Sequence, residues 1–108
     1  SPTMGEAATW AVTELTWSPQ ALADVEEIRA YIALDSRSYA DLTAQRILAA
    51  VERLKAFPDS GRMVPERQST EVREVIAGRF RIVYRREVHV VEIVTVFRGS
   101  REFPDQAL

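Results

Sequence analysis

The chain has 108 residues, 46% of them hydrophobic and 28% charged, with a formal net charge of −2 and no cysteine. That length accommodates one domain with a modest core, and the missing thiols exclude a disulfide framework and a thiolate metal centre. No apolar run approaches the ~20 residues of a membrane-spanning helix, and SPTMGEAATW at the start has neither the basic flank nor the apolar stretch of a signal peptide, so a cytoplasmic protein without membrane contact is expected.

Residues 1–9 read as a flexible leader, 10–104 as the folded domain and 105–108 as a short tail. The first element is a strand over residues 10–17 (WAVTELTW), rich in β-branched and aromatic types. Ser18-Pro19 follows, a capping residue directly before a proline suited to the first helical position. Asp24, Glu26 and Glu27 lie near that end, where the helix dipole favours them. Leu22, Val25, Ile28 and Ile32 recur at helical spacing and predict an apolar face. Residues 35–38 (DSRS) break the pattern and offer new caps. A second helix then carries Ala40, Ala44, Ile47, Val51 and Leu54 on one stripe, with Asp41, Gln45, Glu52 and Lys55 off it, and ends towards Pro58 and Gly61. So short a turn predicts an antiparallel helical hairpin.

From Val72 the period changes from helical to alternating. VREVIA, RFRIVYRR and VHVVEIVTVF read as three strands of an antiparallel meander, with turns at Gly78 and at Arg86-Glu87. A loop over residues 58–70 joins them to the hairpin. The order is β-α-α-β-β-β, an α+β fold with the helical hairpin packed on one face of an antiparallel sheet. If Phe80, Ile82 and Tyr84 pack under the helices, Arg79, Arg81, Val83 and Arg85 face the other way. Arg73 and Val75 on the preceding strand, and Arg98 at the end of the last, are expected to join that second set as a basic, concave face.

Charge is distributed unevenly. Residues 1–61 hold five basic and nine acidic side chains, residues 62–101 hold nine basic and five acidic, and the last seven add two acidic. A basic second half on an acidic chain suits a nucleic acid or an acidic peptide.

The order of motifs resembles that of the RelE/ParE superfamily, the toxins of type II toxin–antitoxin modules. SPQALADVEEIRAYIALDS resembles the first-helix signature of these toxins. LAAVERLKAFPDSGRMVPE resembles the second helix and its exit, with Phe57-Pro58, Gly61-Arg62 and Pro65-Glu66 in order. VREVIAGRFRIVYRR resembles the hairpin, with Arg73 and Arg81 before the Ile82-Val83-Tyr84 run, and VEIVTVFRGSREFP resembles the closing strand and tail. The similarity covers residues 12–104. It implies a growth inhibitor of the kind used in plasmid stabilization, neutralised by a cognate antitoxin whose C-terminal segment wraps the toxin, with no cofactor and no metal. The target divides the family: RelE-like members cut messenger RNA on the ribosome, and ParE-like members poison DNA gyrase without nuclease activity.

For a RelE-like nuclease the resemblance makes Glu66 the base and Arg81 the phosphate support, with Arg73 assisting. Metal-free RNA cleavage requires a base for the 2′-hydroxyl, an acid for the leaving oxygen and cations for the phosphate. Here Arg98 stands where the family often has histidine, and Phe103 offers no hydroxyl. The single histidine, His89, matches no family site, and the single lysine, Lys55, lies on the second helix. The expected mode is therefore ParE-like gyrase inhibition. The alternatives are a RelE-like ribosome-dependent endoribonuclease using Glu66 and Arg81, and a degenerate member that binds its antitoxin without toxicity. Arg62, Arg73, Arg79, Arg81, Arg98 and Arg101 are the candidate target- or antitoxin-binding cations, able to meet a carboxylate as well as a phosphate. Plainer roles compete: a salt-bridged loop carboxylate for Glu66, a sheet-face charge for Arg81, a loop charge for Arg62, packing for Trp10 and Trp17, an ordinary strand position for His89. Tyr84 reads as a core aromatic with its hydroxyl at the edge.

Overall fold

In a computed structural model the described residues are 13–67, 69–100 and 103–104. The expected leader at 1–9, the start of the first strand at Trp10, Arg101 and the tail at 105–108 lie outside them. The described chain forms β1 (Glu14–Trp17), α1 (Pro19–Ala33), α2 (Arg37–Glu52) with a 3-10 turn at Arg53–Lys55, β2 (Arg62–Met63), β3 (Val72–Ala77), β4 (Phe80–Arg86) and β5 (Val90–Arg98).

Both helices start where the capping residues place them. The Ser18 hydroxyl accepts from the Ala21 amide at 3.0 Å with Pro19 in the first turn, and Ser36 accepts from the Tyr39 amide at 3.1 Å. On α2 the stripe of Ala40, Ile47 and Val51, continued by Leu54, is buried as its spacing predicts. On α1 the expected stripe holds at Val25 and Ile28 but not at Leu22. Leu22 is 53% exposed and Ala21 is fully buried, because successive helical residues differ by about 100° and the small Ala21 is the one turned to the core. Val25 and Ile28 pack there as expected. Asp24 does not serve the helix dipole but reaches the sheet.

The sheet has five strands in the order β1-β5-β4-β3-β2. β3, β4 and β5 form the antiparallel meander. Gly78 at its first turn has φ +59, the left-handed region glycine enters without a Cβ clash. Two features are added to the expected sheet: β1 pairs in parallel with β5, and the two-residue β2 pairs with β3 inside what reads as loop.

A bulge in β5 controls which face each side chain takes. Val83 is opposite Thr95 but Tyr84 is opposite Ile93, so Val94 has no partner residue on β4. The bulge shifts the alternation by one, and Val91, Ile93 and Val96 all join Ala21, Ile47, Val51, Leu54, Ile82 and Tyr84 in the core under the helices. The backbone groups displaced there are satisfied from the start of α1. The Ser18 hydroxyl donates to the Val94 carbonyl at 2.7 Å, and Asp24 accepts from the Val96 amide at 3.0 Å and the Thr95 hydroxyl at 2.6 Å.

The opposite face carries a second apolar cluster of Val64, Val72, Val83, Phe97 and Phe103. The register of β3 corrects the expected membership of this face. Arg73, Val75 and Ala77 lie opposite Tyr84, Ile82 and Phe80 and so share the helix side, while Val72, Glu74 and Ile76 stand beside Arg85, Val83 and Arg81. The face opposite the helices is therefore a half-covered apolar surface crossed by ion pairs, not an open basic concavity.

Candidate functional site

On that second face the guanidinium of Arg81 is held by two carboxylates. β4 places it diagonally across from Glu74 on β3, a separation that long side chains bridge. Arg81 Nε donates to Glu74 Oε1 at 2.7 Å, and Nη2 lies 2.6 Å from the same oxygen. The outer edge of Arg81 meets Glu66, with Nη1 to Oε2 at 3.0 Å and Nη2 to Oε1 at 2.9 Å, a two-bond fork. Glu74 also accepts from Arg62 Nε at 2.6 Å. The side chain of Glu74 is fully buried, that of Arg81 is 10% exposed and that of Glu66 is 42% exposed.

Aromatic rings line this network. The Arg81 guanidinium lies 5.0 Å from the Phe97 ring centroid and 5.7 Å from that of Phe103, within cation–π range. The two rings meet edge to face at 5.5 Å. The hydrogen bonds from Arg81 hold the Glu66 carboxyl below the usual carboxylate range, and those to Glu66 raise Arg81 further above its ordinary value.

Glu66 and Arg81, far apart in sequence, thus come together. The other candidate cations divide among different places. Arg62, with its side chain 64% exposed, is tied to Glu74 at the edge of the network. Arg73 donates to the Gly61 carbonyl at 3.1 Å on the helix side. Arg79 and Arg98 are exposed at the β3–β4 turn and the end of β5, and they line a cleft of about 480 Å³ against α1 with Ile28, Tyr31, Phe80 and Glu27. Arg101 lies outside the described residues. His89 sits in the β4–β5 turn, its carbonyl accepting from the Glu14 amide. From Arg81 to Arg86 β4 alone runs roughly 16 Å at about 3.3 Å per residue, and His89 lies beyond. Lys55 pairs with Glu52 at 3.2 Å.

Glu74 is the residue that sequence reasoning overlooks. Its one signal is an acid within an otherwise apolar-alternating strand, and that becomes meaningful only when the β3–β4 register places it beside Arg81. Tyr84 is buried as expected, and its hydroxyl donates to the Pro58 carbonyl at 2.8 Å and accepts from the Gly61 amide at 2.9 Å. Burial pushes its phenol pKa up. Among the described residues, no group of three His, Cys, Asp or Glu side chains stands together as metal ligands, and no helix is long and apolar enough to cross a membrane.

The fold resembles a solved chain from the chromosomal ParDE toxin–antitoxin system of P. aeruginosa, with a TM-score of 0.68 at 23% identity, covering 82% of this chain and 97% of that one. In sequence, the candidate toxin Y4kP of Sinorhizobium fredii is 34% identical over 90 residues, which span 83% of this chain and 92% of the relative. The family model for the ParE toxin of the type II toxin–antitoxin system parDE matches residues 15–103. The chain belongs to the ParE family of type II toxin–antitoxin toxins.

Proposed function

We propose that this toxin poisons DNA gyrase, cuts no RNA, and is held inactive by a cognate antitoxin. The observation that carries the reading is the closed state of the Glu66–Arg81 pair. A general base takes a proton best when its pKa lies near the working pH and it is not held as the anion by a neighbouring cation. Both Glu66 oxygens accept from Arg81, and the same bonds lower its pKa. Arg81 is equally occupied, with Nε and both Nη atoms on Glu74 and Glu66. The two positions considered for a general acid point the same way: Phe103 has no hydroxyl and is packed on Phe97, and His89 is at the far end of β4 from Arg81.

One observation favours the RelE-like reading, namely that its base and its charge stabiliser stand 2.9 Å apart. Opening the pair on RNA would be required to use them. The membership of a parDE toxin family and the fold shared with a ParDE chain support an antitoxin partner for this chain. Purified chain added to DNA gyrase with relaxed plasmid tests the target. Loss of supercoiling with trapped cleaved DNA, relieved by the antitoxin, is expected. Undisturbed supercoiling at a large molar excess of chain would sink the gyrase reading.

A further inference from the structure

The two carboxylates on Arg81 are not equivalent. Glu74 is fully buried, fixed in β3, and also bound to Arg62. Glu66 is 42% exposed and lies outside the strands, in a turn that the Arg67 amide closes on the Val64 carbonyl at 3.0 Å. Moving the Glu66 side chain outward breaks no strand pairing and uncovers the two Nη atoms of a guanidinium whose position Glu74, Phe97 and Phe103 already fix.

We propose that this fork is a binding site for an acidic side chain of a partner protein, and that Glu66 is an internal occupant which the partner's carboxylate displaces. The rest of the site has the right charge. With Glu66 out, the guanidiniums of Arg62 and Arg81 face the single carboxylate of Glu74, and Arg67 stacks on the same Phe103 ring 5.4 Å from its centroid, so the site is cationic and suits an anion. It also has the right shape. Glu66 itself demonstrates that a planar carboxylate fits the fork end-on. The Phe97 and Phe103 rings against the guanidinium hold its plane, so a carboxylate that enters end-on meets the fork as Glu66 does. Exchange of one carboxylate for another keeps the same two charge-assisted bonds, so the partner's remaining contacts have only to offset its own ordering and the release of Glu66. The inference rests on the reading of the chain as an antitoxin-bound toxin only in calling the donor a protein, and gyrase plays no part in it.

The test uses the full chain, with acetate as the carboxylate probe and dimethyl phosphate as the phosphodiester probe, and follows the Arg81 Nε–H resonance by NMR. In Glu66→Gln the fork loses its charged occupant, and acetate should shift the Arg81 signal saturably, with dimethyl phosphate binding more weakly. The wild-type chain should bind acetate about tenfold more weakly or worse, since its fork is open only a small fraction of the time. Glu66→Ala should behave as Glu66→Gln does. Equal acetate affinity in wild type and variants, or no saturable response in either variant, would overturn the proposal. A stronger response to dimethyl phosphate would overturn the assignment to a protein carboxylate, and failure of both variants to fold would show that Glu66 is a structural member and not a displaceable occupant.

Discussion

Asp24 of α1 accepts a hydrogen bond from the Val96 amide of β5 at 3.0 Å, joining the first turns of the first helix to the last strand of the sheet. The same oxygen accepts from the Thr95 hydroxyl, and both donors lie immediately after the bulged residue Val94. Asp24→Ala would leave a strand amide without its charged acceptor, and hydrogen bonds to charged groups are worth about 1.5–3 kcal/mol. Urea unfolding should show a loss of that size. A change below ~0.5 kcal/mol would mean that water replaces the carboxylate at no cost.

The helical hairpin gives a contrast between two apolar residues of the same type. Leu54 is fully buried and Leu22 is 53% exposed. Leu54→Ala and Ile47→Ala should each cost about 2–5 kcal/mol through lost packing and the cavity left behind. Leu22→Ala should stay within ~0.5 kcal/mol, as surface substitutions usually do. Equal losses at Leu22 and Leu54 in denaturant titrations would contradict the orientation of α1.

Tyr84 anchors the exit of the hairpin to β4. Tyr84→Phe removes both hydroxyl bonds and leaves the buried Gly61 amide unsatisfied, which should cost about 1–3 kcal/mol. Gly61→Ala tests the same contact from the other side, because a Cβ there would collide with the Tyr84 hydroxyl and stand 2.7 Å from the Glu74 carbonyl oxygen. The raised phenol pKa fixes the sign of the pH dependence. Folding favours the neutral phenol, so its contribution is complete below the ordinary value of 10.0 and is lost as the pH rises through the higher folded value. The stability difference between wild type and Tyr84→Phe should therefore shrink in alkali. A difference that grows above pH 10 would contradict it.

Glu66 has the opposite dependence. Its lowered pKa means that folding favours the carboxylate, so its contribution is complete above the ordinary value of 4.5 and is lost as the pH falls through the lower folded value. The stability difference between wild type and Glu66→Gln should be flat at neutral pH and decline below about pH 4.5. A difference that begins to fall near pH 7 would mean that Arg81 does not hold the charged form.

Much of this fold is legible in local sequence, and the rest depends on pairing partners distant along the chain. Ser18-Pro19, Ser36 and Gly78 announce their caps and turn, because each satisfies a backbone requirement within a few residues. The face of β3 is not announced. Arg73 and Val75 alternate with Val72 and Glu74 in a strand apolar enough to be read either way, and only the register against β4 decides between them. The bulge at Val94 is equally silent, since it exists relative to Tyr84 on another strand. For the candidate site, Glu66 and Arg81 are recognisable from the family pattern, whereas Glu74, which fixes the guanidinium, shows its place only in the assembled sheet.

The most direct test of the toxin's mode of action is induced expression of the wild-type chain in growing cells, with transcripts mapped and the DNA damage response followed in the same culture. Gyrase poisoning predicts growth arrest with an early damage response and intact ribosome-bound messenger RNA. Codon-phased cuts in that RNA, lost in Glu66→Gln, would instead require the Glu66–Arg81 pair to open on its substrate and act as base and phosphate clamp, and would contradict the gyrase reading.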